Sequence, residues 1–141
     1  MNLGYLLTKA VSNYPDQVAL IFEGQSFTYR ELNQRVNRLA QGLLAQGVRK
    51  GDKVAMLLRN CNEFIESFFA TAKIGGVIVP LNYRLSPKEV AYIVDNADAT
   101  TLIYGEEFRE AVDSIRPELD KVRHYIYIGD DPPAGTLWFT K

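Results

Sequence analysis

Residues 53–104 read KVAMLLRNCNEFIESFFATAKIGGVIVPLNYRLSPKEVAYIVDNADATTLIY, and their alternation of apolar runs with helical periods decides the fold. Val54-Ala55-Met56-Leu57-Leu58 is too apolar for a strand with one wet face and predicts a buried parallel strand. Asn60 and Glu63 have the spacing of a helix-capping pair. Phe64, Ile65, Phe68, Phe69 and Ala72 then recur at helical spacing as the expected inner face. Gly75-Gly76 ends that helix, and Val77 to Val79 begins a second buried strand at once. Ser86-Pro87-Lys88-Glu89 combines an N-cap hydroxyl, a proline at the first helical position and a carboxylate that can return to the cap. The helix it starts turns Val90, Ile93, Val94 and Ala97 inward, and Thr100 to Tyr104 supplies a third strand.

Downstream, Phe108, Ala111, Val112 and Ile115 mark a short helix, and HYIYI at 124–128 is a fourth strand. Residues 129–141, with Trp138 and Phe139, carry no period and read as an irregular tail or truncated linker. Upstream, Leu3, Leu6, Leu7, Ala10, Val11 and Tyr14 describe an amphipathic helix stopped by Pro15. Strands near 18–22 and 25–28 flank Glu23-Gly24 as a β-hairpin. Thr28 and Glu31 form a capping box for a helix over 29–46. Its expected inner face is Leu32, Val36, Leu39, Ala40, Leu43 and Leu44, its outer face Glu31, Arg35, Arg38 and Gln41, and its stop Gly47. The strand–helix alternation predicts an α/β fold: a three-layer αβα arrangement, a mainly parallel sheet with helices on both faces, and an N-terminal hairpin and helix packed on it or along its edge.

Composition narrows the function. The 141 residues carry 16 basic and 17 acidic side chains, a net charge of -1, so no basic excess is available for a nucleic-acid backbone. Mean hydropathy is -0.13, no apolar run approaches the ~18 residues of a membrane span, and MNLGYLLTKA lacks the layout of a signal peptide; a cytoplasmic protein is expected. One cysteine, Cys61, and one histidine, His124, leave most metal and triad chemistries without ligands or bases. Ligands of open α/β sheets sit beyond the carboxyl ends of the strands, which directs attention to loops 59–62, 80–86, 105–106 and 129–132. None has a phosphate cradle. Gly75-Gly76 runs from helix into strand, and Gly105 is followed by Glu106 and Glu107, which repel a phosphate. Asn82, Tyr83 and Arg84 can hydrogen-bond an anion, but they also suit a solvated loop. Asp130-Asp131 reads as a solvated turn, His124 as an exposed imidazole, Cys61 as an ordinary thiol, the phenylalanine stripe as core, and Arg49, Lys50 and Lys53 as a turn balanced by Asp52.

Three ordered patterns carry a resemblance: Phe27-Thr28-Tyr29-Arg30-Glu31-Leu32, GVRKGDKVAMLL at 47–58, and FFATAKIGGVIVPLNYRLSPKE at 68–89. Together, over roughly residues 1–128, they resemble the N-terminal part of the adenylate-forming (AMP-binding) acyl-CoA synthetases, most closely the long-chain fatty-acid–CoA ligases. The resemblance implies a parent enzyme that joins a carboxylate to ATP with Mg²⁺, forms an acyl-adenylate and pyrophosphate, and transfers the acyl group to coenzyme A. It also implies that residues 1–128 are an α/β subregion of the ligase's N-terminal domain. The phosphate-holding Thr/Ser/Gly-rich loop and the catalytic lysine of such enzymes have no counterpart in these residues. No catalytic, cofactor-binding or metal residue is therefore assigned, and the chain alone is expected to bind no cofactor and to be inactive. Expected partners are the remainder of the ligase and a second copy meeting an exposed sheet edge or apolar surface; the parent, peripheral to the membrane at most, would bind fatty acid, ATP and CoA. The alternatives are a free-standing α/β binding or oligomerisation module and a fragment of an aryl-CoA ligase. A receiver-like module needs an acidic cluster where this sequence has Arg59-Asn60-Cys61 and Asn82-Tyr83-Arg84.

Overall fold

The computed structural model describes residues 3–59 and 61–139. Helix α1 (Leu3–Asn13) leads into strands β1 (Val18–Phe22) and β2 (Gln25–Thr28), an antiparallel hairpin that pairs Phe22 with Gln25. Glu23 and Gly24 both have positive φ, 49° and 79°, the backbone that a two-residue hairpin turn requires. Helix α2 (Tyr29–Ala45) starts on the complete Thr28–Glu31 capping box: Thr28 Oγ1 accepts from the Glu31 N–H at 3.1 Å, and the Thr28 N–H donates to Glu31 Oε1 at 3.0 Å. Then follow β3 (Lys53–Leu57), α3 (Asn62–Lys73), β4 (Val77–Pro80), α4 (Pro87–Asn96), β5 (Thr101–Gly105), α5 (Arg109–Ile115), β6 (His124–Ile128) and β7 (Leu137–Phe139). Ser86 and Glu89 close the second capping box, at the start of α4.

The five strands form a parallel sheet in the order β4-β3-β5-β6-β7. Side chains alternate between its faces. Ala55, Leu57, Leu102, Tyr104, Tyr125 and Tyr127 meet Val90 and Val94 of α4 and Val112 and Ile115 of α5. Val54, Met56, Leu58, Ile103, Ile126 and Ile128 meet Leu7 of α1, Val36 and Leu43 of α2 and Ala70 of α3. The chain is thus a three-layer α/β fold with an N-terminal hairpin, as its alternation predicts.

Several local expectations are corrected. The most buried positions of α3 are Asn62, Glu63, Glu66, Ser67, Ala70, Thr71 and the expected Ala72; of the expected inner face Phe64, Ile65 and Phe69 do pack against the core but, like Phe68, are only half-buried. The polar face turns inward because Arg35, expected in solvent, reaches across from α2 to Glu66. The N-cap of α3 is Cys61, without a side-chain cap bond; Asn60 lies outside the described residues. Leu44, expected inside, is 47% exposed. Strand β4 is at the sheet edge, with Val77 45% exposed, and is not buried between neighbours. Pro80, which has no N–H to offer a further strand, suits that edge. The stretch read as an irregular tail contains β7, parallel to β6 with Ile126 opposite Leu137.

Candidate functional site

Strand β3 leads through α3 on one face to β4 on its outer side, and β5 leads through α5 on the other face to β6. Neighbouring connections therefore diverge between β3 and β5, the switch point at which ligands of open α/β sheets bind beyond the carboxyl ends. A cleft of about 340 Å³ lies there, floored by Leu58 and Ile128 and walled by Arg59, Cys61, Glu63, Gly105 and Glu107, with Phe22 and Glu23 contributed by the hairpin. A second cleft, about 560 Å³, shares Glu23 and Glu63 and continues past Gln25, Phe27 and Asn62 to Arg35. The hairpin thus completes a site that the sheet only begins.

The electrostatics oppose a nucleotide phosphate in the switch-point cleft. Glu23, Glu63 and Glu107 face one arginine, Arg59, whose guanidinium lies 5.2 Å from the Tyr83 ring centroid. A Cβ added at Gly105 would meet Glu107 Oε1 at 2.6 Å, so the carboxylate covers the backbone that a phosphate would need to approach. The residues present do not fit the ATP phosphates. Among the described residues, no group of three or more His, Cys, Asp or Glu side chains is placed to hold a metal ion. Burial, with Glu63 beside it, pushes the Cys61 thiol up to about 12, so it is neutral near pH 7 and a poor nucleophile.

Arg35 anchors the lining of the second cleft. Its Nη2 donates to Glu66 Oε2 at 3.3 Å, its Nε donates to Oε1, and its guanidinium lies 5.3 Å from the Phe27 ring centroid. Asn62 Nδ2 donates to the same Oε2 at 3.5 Å. Burial pushes the Glu66 carboxyl above the ordinary glutamate range against the pull of Arg35, and the bond to Glu66 raises the guanidinium. One side chain therefore ties the hairpin to α3.

The remaining sequence candidates are dispersed. Asn82, Tyr83 and Arg84 are exposed; Asn82 Oδ1 accepts the Arg84 N–H at 2.9 Å, and the Arg84 guanidinium sits 5.5 Å from the Tyr83 centroid. Arg59, Tyr83 and Arg84 thus make a cationic point able to take an anion at the rim. His124 opens β6 at the opposite, amino end of the sheet, within 3.6 Å of a Cβ placed on Gly47. Asp131 has φ 52° and its carbonyl accepts from Arg109, which makes this a bonded turn. Sequence reasoning directed attention to loops 59–62 and 105–106 but missed Glu23 and Arg35. Only the strand-end rule flagged any part of the cleft, and the hairpin is outside its scope.

The chain matches the family described as AMP-binding enzyme over residues 7–141. It belongs to that family. A crotonobetaine/carnitine–CoA ligase of Salmonella paratyphi B is 37% identical over 148 aligned positions, covering 99% of this chain and 29% of that protein. An anthranilate CoA ligase solved with anthranoyl-AMP superposes with TM-score 0.91 at 31% identity, covering 97% of this chain and 26% of that one. A fatty acyl CoA synthetase of Mycobacterium tuberculosis gives TM-score 0.86 at 30% identity, covering 99% and 32%. This AMP-binding family member spans less than a third of each of these three relatives.

Proposed function

We propose that this chain is the N-terminal α/β scaffold of an ATP-dependent acid–thiol ligase. The ligase activates a carboxylic acid as its acyl-adenylate and hands the acyl group to coenzyme A. The carrying observation is the family match over 7–141, joined to the small share of the CoA ligases that the chain covers. The chemistry requires two steps because carboxylate oxygen is a poor leaving group. In the whole ligase the carboxylate oxygen would attack the α-phosphorus of Mg²⁺-bound ATP and expel pyrophosphate, giving the acyl–AMP mixed anhydride, from which AMP would leave as the CoA thiolate attacks the carbonyl carbon. The acidic switch-point cleft supports a scaffold role for this part: it offers neither a phosphate cradle nor a reactive thiol.

The acyl donor we infer is a fatty acid, on the likeness to the mycobacterial fatty acyl CoA synthetase. The carnitine-type and anthranilate ligases define the competing donors. Cytoplasmic placement belongs to the same proposal; among the described residues no helix is long and apolar enough to cross a membrane. The partners are the remainder of the ligase and a second copy. The surface we favour for self-association is the apolar strip of Phe68, Val77 and Ile78 beside β4.

ATP–pyrophosphate exchange tests the proposal, with the 141-residue chain and the product of its complete gene each offered palmitate, carnitine and anthranilate. The expected result is no exchange by the chain and fastest exchange with palmitate by the gene product. Exchange by the chain alone overturns the scaffold role, and none by the gene product with any acid overturns the ligase reading.

A further inference from the structure

Strand β7 poses a problem of connection. It runs parallel to β6, yet only the eight residues 129–136 join them, where parallel neighbours ordinarily need a dozen or more residues and a helix. The step closes because β7 is three residues long and begins opposite Ile126, so the chain returns only about 7 Å along the sheet. A connection this short and without a helix has little apolar surface of its own to hold it.

Its carbonyls are held instead by side chains anchored on the sheet, on α5 and in the turn that follows α5. Arg116 Nη1 donates to Ala134 O at 3.3 Å and its Nη2 to Gly135 O at 3.1 Å, while Arg109 Nη1 donates to Asp131 O. Behind each guanidinium lies a ring of β6: Tyr125 at 4.0 Å from Arg116 and Tyr127 at 5.8 Å from Arg109. The Tyr127 hydroxyl donates to Asp130 O at 2.8 Å. Gly135, at φ +76°, suits the close approach, since a Cβ there would come within 3.0 Å of Arg116 Nη2.

We propose that Arg109 and Arg116 form a two-point strap that docks β7 on the sheet, so that loosening the strap frees β7 while β3, β5 and β6 stay folded. The strap grips backbone carbonyls and ring faces only. Its release therefore uncovers ring faces of Tyr125 and Tyr127 and leaves the other buried side chains of the two apolar layers in place. Among the described residues β7 pairs only with β6, and its three residue pairs alone make a marginal attachment. Both arginines are positioning residues, and the proposal is independent of the ligase reading.

The test is amide hydrogen exchange of the full chain, resolved by residue, in Arg109→Met/Arg116→Met and in Arg116→Lys. The double variant keeps apolar stems against Tyr125 and Tyr127 and removes the donors. The expected result is about tenfold faster exchange of the β7 amides, with those of β3 and β5 within about twofold of the parent. Arg116→Lys keeps the charge but gives up the fork that reaches two carbonyls, and should accelerate β7 about threefold. If the double variant does not fold, the lysine variant alone decides. Unchanged β7 exchange overturns the strap, and equal acceleration in β3 and β5 shows a global contribution instead and overturns it too.

Discussion

Replacing Arg35 by methionine removes the charge that Glu66 faces while keeping a comparable apolar stem. The Glu66 side chain is 7% exposed and that of Arg35 27%, so the variant leaves a carboxylate with Asn62 as its remaining hydrogen-bond donor and Glu63 nearby. Breaking a buried pair from one side costs about 3–5 kcal/mol; the partial exposure of Arg35 places this case near the lower end, about 3 kcal/mol. Loss of the contact with Phe27 adds about 0.5 kcal/mol. Urea denaturation followed by circular dichroism reads the sum as a fall in midpoint of about 1.5–2 M. The loss depends on pH with a definite sign. Burial already holds the Glu66 carboxyl above its unfolded value, and without Arg35 it rises further. The native variant then binds more protons than the unfolded chain, so its stability is greatest below the ordinary glutamate range and falls as pH climbs through the raised value. The deficit relative to the parent should therefore be smaller at about pH 4.5 than at about pH 7.5. Arg35→Met/Glu66→Leu, which removes both charges, should return to within about 1 kcal/mol of the parent. Equal losses at the two pH values, or a double variant no better than the single, would refute the reasoning.

Thr28→Ala and Ser86→Ala each delete a cap hydroxyl and should lower stability by about 1 kcal/mol, read as additive shifts in thermal midpoint because the caps serve different helices. The cap bonds hold the Glu31 and Glu89 carboxyls below their ordinary range, so these contributions persist at neutral pH and fade as pH falls through the lowered values. Cys61, with its thiol pushed up to about 12, should react with iodoacetamide at pH 8 at least about tenfold more slowly in the folded chain than in urea; equal rates by intact mass would contradict the burial argument.

Much of the architecture was legible because local chemistry and global fold agree. Thr28 with Glu31 and Ser86 with Glu89 announce their helices by hydroxyl and carboxylate spacing alone, and HYIYI is a strand in sequence and in structure. Failures occur where distant residues decide. Phenylalanine spacing in α3 marks a side that packs on the core, but the burial of the helix's polar edge is invisible to it, because Glu66 meets Arg35, 31 positions upstream. No local period marks β7, since its place is set by Arg109 and Arg116 acting on the connection before it. The cleft was half legible for the same reason: its floor follows from the strand-end rule, whereas Glu23 arrives on a hairpin whose docking depends on Arg35.

The central claim, that these residues are the scaffold of a larger ligase, is tested most directly by the intact mass of the native gene product in its source cells. The account predicts a mass several times 15.9 kDa, in keeping with relatives of which this chain covers 26–32%. A native mass of 15.9 kDa would contradict it.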